Sequence, residues 1–99
     1  MTINIDQDFI KDVLVRLVQT DSRNPDMVED GPGESQIGAD IARVLQDLGL
    51  EVTTYDLGAD RVNVVGILPG KGAGRSLILN GHMDTVGVDE MSDPFSGTI

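Results

Sequence analysis

The sequence of 99 residues contains no cysteine, one histidine, and seven lysines and arginines against seventeen aspartates and glutamates. Because cysteine is absent, disulfide bonds, thiolate metal sites and a cysteine nucleophile are excluded, and any metal site must use histidine and carboxylate ligands. The formal net charge of −10 disfavours binding to phosphate backbones and to anionic lipid. We therefore expect no nucleic-acid partner and no membrane partner.

Long apolar runs are also missing. No stretch approaches the roughly 18 consecutive apolar residues of a transmembrane helix, and the start of the chain lacks the basic and apolar regions of a signal peptide. These absences predict a cytoplasmic protein. The hydrophobic share of 39% and the charged share of 24% are typical of a globular chain, and the length suits one domain or part of one.

Two helices are predicted in the first half of the chain. Between Asp6 and Gln19, apolar side chains recur at spacings of one, three and four, which places them on one face of a helix that Asp6 can cap. A second helix is predicted over residues 34–48, with Gly49 as its C-terminal stop. The turn-rich residues 20–33 between them predict a long surface loop.

Three strands are predicted in the second half, over residues 50–55, 62–68 and 76–80. The glycine-rich residues 69–75 lie between two of these segments, but Lys71 is followed by Gly72 and by no helix, so they do not match a phosphate-binding loop. A flexible hairpin connection accounts for them better. The predicted fold class is α/β, with two helices followed by three or more strands of a mixed sheet.

The residues with the clearest chemical potential are His82 and Asp84, which follow the predicted strand 76–80 directly. In extended backbone, residues two apart point to the same side, so the Asp84 carboxylate can approach the His82 ring. Such a carboxylate fixes the tautomer of the ring and strengthens its other nitrogen as a metal ligand. The alternative is an ordinary hydrogen-bonded pair at the surface or half-buried, without a metal.

The sequence resembles the zinc-dependent amidohydrolases and exopeptidases that include acetylornithine deacetylase, succinyl-diaminopimelate desuccinylase, carboxypeptidase G and aminoacylase. The resemblance covers nearly the whole chain and is most specific in the run Gly81-His82-Met83-Asp84-Thr85-Val86. It includes four further stretches, at residues 17–25, 49–52, 63–66 and 93–97.

The resemblance implies a role for two residues. His82 matches the first zinc-ligand histidine of the family, and Asp84 matches the active-site aspartate that orients that ring. In such enzymes two zinc ions share a bridging carboxylate and a water, and a glutamate acts as the general base in hydrolysis of an amide bond. Cobalt or manganese would also suit one histidine and one aspartate.

Further expectations follow from the resemblance. Residues 1–99 would be the N-terminal portion of a zinc-peptidase-like catalytic α/β domain, with the remaining ligands, the general base and a lid or dimerisation domain lying outside this chain. The full-length form would be a homodimer that cleaves N-acyl amino acids or short peptides, and the 99 residues alone would be inactive.

Two alternatives belong to other functional classes. The first is a non-catalytic interaction or regulatory domain derived from the same fold. The second, which rests on charge alone, is a small acidic module that binds cationic partners.

Overall fold

A computed structural model describes residues 2–99 of the chain. Two helices are followed by one β-hairpin: α1 spans Gln7–Gln19, α2 spans Ser35–Asp47, β1 spans Glu51–Gly58 and β2 spans Arg61–Ile67. Helix α2 packs against both strands of the hairpin. The radius of gyration is 15.6 Å, against about 13 Å for a compact domain of this length, so the described residues form an open arrangement.

Helix α1 forms as its apolar periodicity predicts. The Asp6 side chain accepts a hydrogen bond of 3.0 Å from the backbone N–H of Phe9, which satisfies one of the unpaired donors of the first turn. The apolar stripe of the helix is only partly covered: Val13 and Leu17 are half-buried, and no residue of the helix is fully buried within the described structure. The exposed members of the stripe are Phe9, Ile10, Leu14 and Val18.

Helix α2 confirms the second predicted helix to within one residue at each end. Glu34 is its N-cap residue, and Gly49, at a φ of 90°, follows its C-terminal end. Ile37 on this helix is 6% exposed and is the only buried hydrophobic side chain in the described part of the chain. Gly38, on the next position, lies directly against Val62 of the hairpin. The core therefore consists of one face of α2 against β2.

The hairpin confirms the first two predicted strands. Strands β1 and β2 pair antiparallel, with Glu51 opposite Ile67 and Tyr55 opposite Asn63. The connecting residues Ala59 and Asp60 have φ values of 53° and 61°, as the tight turn of a two-residue hairpin requires. The carbonyl oxygen of Asp60 accepts a 2.8 Å hydrogen bond from the backbone N–H of Glu34, which joins the turn to the start of α2.

The prediction of three or more strands in a mixed sheet is wrong. The sheet of the described residues has two strands, which pair antiparallel, and residues 76–80 are not a strand. Leu79 in this segment is 89% exposed, and no backbone hydrogen bond joins the segment to another described residue. A β-prone sequence becomes a strand only when a partner edge pairs with it and a neighbouring layer covers it. Residues 69–75 accordingly do not connect two paired strands.

Within residues 2–99, none of the helices combines the length and the apolar character needed to cross a membrane.

Candidate functional site

The structure brings the two predicted site residues into contact. Nδ1 of His82 lies 3.0 Å from Oδ1 of Asp84 and 3.0 Å from the carbonyl oxygen of the same residue. The His82 side chain is 84% exposed, whereas that of Asp84 is 26% exposed. The predicted approach of the Asp84 carboxylate to the ring is therefore confirmed as geometry, although the residues before it are not the strand that was expected to present it.

The contacts of Nδ1 determine which ring nitrogen carries the proton. A carbonyl oxygen and an ionised carboxylate only accept hydrogen bonds, so Nδ1 is the donor in both contacts. In the neutral ring, Nε2 of His82 is then the nitrogen with a free lone pair. This is the tautomer in which a histidine can bind a metal or accept a proton through Nε2.

Asp84 also contacts a residue far away in the sequence. Nδ2 of Asn24 donates a 2.8 Å hydrogen bond to Oδ2 of Asp84, so each carboxylate oxygen has its own partner. The hydrogen bond from Asn24, followed by the contact with His82, holds the pKa of the Asp84 carboxyl below its usual value. Both contacts stabilise the ionised form of this carboxylate.

A short backbone bridge brings the two segments together. Arg23 and Thr85 form an isolated parallel β-bridge. The N–H of Thr85 donates to the carbonyl of Ser22 at 3.0 Å, and the N–H of Asn24 donates to the carbonyl of Thr85 at 2.9 Å. Ser22 is 1% exposed. The start of the predicted surface loop is therefore an integrated part of the structure at this point.

A second polar cluster fixes the other end of the same loop. Nε of Arg61 donates a 2.6 Å hydrogen bond to Oε2 of Glu34, and Nη1 donates to Oδ2 of Asp26 at 3.1 Å. Glu34 is buried at 5% exposure, and its hydrogen bond with Arg61 raises the pKa of that guanidinium above the ordinary value. The cluster joins the loop and α2 to the hairpin.

Both clusters line one open groove of about 970 Å³. The polar cluster around Arg61 and the His82 and Asp84 pair contribute to its wall, and Val62 and Val64 of β2 add apolar surface. Small-molecule sites commonly combine apolar walls with a few polar groups. A smaller cavity of about 280 Å³ lies between α1 and α2 and contains no member of either cluster.

The described residues do not complete a zinc site. Residues 2–99 contain no group of three or more histidine, cysteine, aspartate or glutamate side chains placed to hold one metal ion. Protein zinc sites use three or four protein ligands. His82 fits the role of one nitrogen ligand, with Asp84 as its hydrogen-bonded partner, and these two residues alone do not hold a zinc ion.

Sequence reasoning did not identify Asn24 and the Arg61 cluster as parts of the site. Asn24 precedes Pro25 in a loop rich in turn formers, where asparagine is common because its side chain bonds to nearby backbone. That local bond exists, since Oδ1 of Asn24 accepts from the N–H of Asp26 at 2.8 Å. The local pattern carries no signal for the second bond to Asp84.

Comparison with known proteins gives one curated relative. The chain is 34% identical over 95 residues to the N-formyl-4-amino-5-aminomethyl-2-methylpyrimidine deformylase of Halalkalibacterium halodurans. The match covers 90% of this chain and 22% of that enzyme, so the chain spans less than a quarter of the length of its relative. No family model matches the sequence, and no solved structure matches it.

Proposed function

We propose that this chain is the N-terminal portion of the catalytic domain of a hydrolase that cleaves the amide bond of N-acyl compounds. Removal of a formyl group from an amine is one such reaction, and similarity to a deformylase over 90% of the chain supports this class. The observation that carries the proposal is the His82 and Asp84 pair, with its proton on Nδ1 and Nε2 free beside an open groove.

His82 is assigned the role of one metal ligand through Nε2, and Asp84 the role of holding the ring in the required tautomer and orientation. When bound, a metal of this type lowers the pKa of a water molecule and polarises a carbonyl. Zinc is the proposed metal, and cobalt and manganese are the alternatives. The resemblance to acetylornithine deacetylase and its relatives motivates this assignment, and the further ligands and the general base would come from outside residues 1–99.

The substrate is proposed to be a small N-acyl amine, N-acyl amino acid or short peptide. The groove of about 970 Å³ is large enough for such a molecule. The Arg61 guanidinium is engaged by two carboxylates, from Glu34 and Asp26, so the groove holds no uncompensated positive charge from that residue. This arrangement favours a neutral acyl group near the Arg61 cluster.

The test is an amine-release assay, with zinc, cobalt or manganese added, on the full-length protein of which residues 1–99 are the proposed N-terminal portion. The substrates are the N-formyl aminomethylpyrimidine named above, N-acetyl and N-succinyl amino acids, and a dipeptide. His82→Gln is expected to remove turnover, and Asp84→Asn to lower it by about 10- to 100-fold, because loss of the residue that orients a ligand typically has that effect. Gln46→Ala is the control and is expected to keep turnover, since Gln46 is exposed on α2 and does not line the groove.

Full turnover by His82→Gln would refute the proposal. A second candidate function, a non-catalytic interaction domain, is favoured by the exposed part of the apolar stripe of α1, which comprises Phe9, Ile10, Leu14 and Val18. The interaction-domain candidate predicts no amine release from any of these substrates with any of the three metals. That result would favour an interaction domain over a hydrolase.

A further inference from the structure

The Asn24 side chain is fixed by its own local contacts. Its Oδ1 atom accepts a 2.8 Å hydrogen bond from the N–H of Asp26. Since a backbone N–H can only donate, the atom that faces it must be the amide oxygen, which assigns the orientation of the amide. The amide nitrogen Nδ2 is therefore directed to the other side, where it donates to Oδ2 of Asp84 at 2.8 Å.

The backbone of Asn24 is fixed as well. Its N–H donates to the carbonyl of Thr85 at 2.9 Å, and its carbonyl accepts from the N–H groups of Met27 and Val28 at 3.1 Å and 2.9 Å. Asn24 therefore lies on a rigid turn, and that turn is bonded directly to the residue that follows Asp84. A donor held in this way can fix the group it binds.

The Asp84 carboxylate is bonded from two directions. Oδ2 accepts from Asn24 and Oδ1 accepts from Nδ1 of His82. A carboxylate with one partner rotates readily about its terminal bond, because that torsion is broad. Two partners on different oxygens select one rotation, in which Oδ1 faces the ring.

We propose that Asn24 is a positioning residue that acts through Asp84 on His82. By holding Oδ2, it turns Oδ1 toward Nδ1, keeps the ring proton on Nδ1 and leaves Nε2 free. Through Asn24, the loop of residues 20–33 thereby controls the chemical state of a ring that lies 58 residues after Asn24 in the chain. The inference rests on the proposed function only in that it treats His82 and Asp84 as the groups that matter for activity.

The test measures the tautomer of His82 directly, by nitrogen NMR of the intact protein labelled at histidine. The His82 signal is assigned by its loss in His82→Gln. Spectra are recorded without substrate at about pH 9, where histidine rings are neutral. In the wild type we expect the proton on Nδ1.

The decisive variant is Asn24→Asp. It has nearly the same shape and keeps the oxygen that accepts from Asp26, but it replaces the Nδ2 donor by a second oxygen facing Oδ2 of Asp84. We expect the ratio of Nδ1–H to Nε2–H tautomers to fall by about 2- to 10-fold, the effect of losing one hydrogen bond. Asn63→Asp is the matched control, because it adds the same charge to the groove that Asp84 lines, and Asn63 is not a hydrogen-bond partner of the Asp84 carboxylate. It is expected to leave the ratio unchanged.

A second variant covers the case in which Asn24→Asp does not fold, as judged by circular dichroism. Asn24→Ser keeps an oxygen that can accept from the N–H of Asp26, but the short side chain cannot reach Asp84. It is expected to lower the tautomer ratio in the same direction. An unchanged ratio in a folded Asn24 variant, or an equal change in Asn63→Asp, would overturn the proposal.

The outcome is distinguishable from failure of the proposed function. If His82→Gln retains full turnover, the hydrolase assignment fails. The positioning role of Asn24 is then still tested by the tautomer ratio of His82 in the NMR spectra. If His82 is essential and the Asn24 variants leave its tautomer unchanged, only the positioning role fails.

Discussion

Nε of Arg61 donates a 2.6 Å hydrogen bond to Oε2 of Glu34, a carboxylate that is almost completely shielded from solvent. Burying a charged carboxylate is unfavourable unless a partner compensates it. Arg61 is that partner, and it also reaches Asp26 on the loop. This contact therefore links the stability of α2, the hairpin and the loop.

Replacement of Arg61 by methionine is expected to destabilise the protein. The substitution keeps an apolar stem of similar length and leaves the buried Glu34 carboxylate without its compensating charge. We expect a clear decrease in the midpoint of urea denaturation at neutral pH. Arg43→Met is the control, because this substitution removes the same charge from an exposed residue that makes no such contact. Equal midpoints for the two variants would contradict the prediction.

A side chain at Gly38 is expected to destabilise the protein. A Cβ atom at this position would lie 2.6 Å from Cγ2 of Val62, and the branched valine has little freedom to move away. Overpacking costs about 1–3 kcal/mol, while alanine in place of glycine gains about 1 kcal/mol of helix propensity. Gly38→Ala should therefore lower the free energy of unfolding, by up to about 2 kcal/mol.

The double variant Gly38→Ala with Val62→Ala separates the clash from other effects. Shortening Val62 removes the methyl group that the new Cβ would meet. We expect the cost of Gly38→Ala to become smaller in the Val62→Ala background than in the wild type. A cost that is the same in both backgrounds, measured by chemical denaturation, would exclude the Val62 contact as its cause.

The pair Asp21 and Arg23 predicts a specific dependence of stability on pH. Hydrogen bonds from the Arg23 guanidinium, at 2.8–3.1 Å, lower the pKa of the Asp21 carboxyl from its ordinary 3.8. A carboxyl whose pKa is lower in the folded state stabilises the fold above its unfolded pKa, and this stabilisation disappears as the pH falls through the folded pKa. The contribution is small because the pair is partly exposed to solvent.

Asp21→Asn provides the measurement of this contribution. The wild type should be more stable than the variant at neutral pH, and the difference should shrink below about pH 4. Urea denaturation at neutral pH and at about pH 3 gives the two differences. Asp12→Asn serves as the control for loss of one surface carboxylate, and a difference for Asp21→Asn that is independent of pH would rule out the assigned cause.

The sequence predicts those parts of the structure that depend on neighbouring residues. The apolar spacing in α1, the Asp6 cap and the stop at Gly49 are local signals, and the structure confirms each of them. The contact between Asp84 and His82 is also local, since the two residues are separated by one position. Such features follow from backbone geometry that the sequence pattern reports directly.

The sequence does not predict features that depend on distant partners. Residues 76–80 have the composition of a strand, but no described edge pairs with them, and composition alone cannot supply a partner. Asn24 looks like a turn residue, while its bond to Asp84 joins two segments far apart in the chain. The burial of Ser22 in a turn-rich loop has the same origin, because it results from the bridge to Thr85.

The bridge between Arg23 and Thr85 joins the two ends of a long segment of the chain that contains α2 and the whole hairpin. The amide hydrogens of Asn24 and Thr85 are each bonded to a carbonyl of the opposite segment. Neither can therefore exchange with heavy water unless the bridge breaks. Once each exchange rate is corrected for the intrinsic rate of that amide, both should therefore give the same free energy of opening, as a single cooperative unit. That free energy reports how often the two segments that carry Asp84 and Asn24 separate.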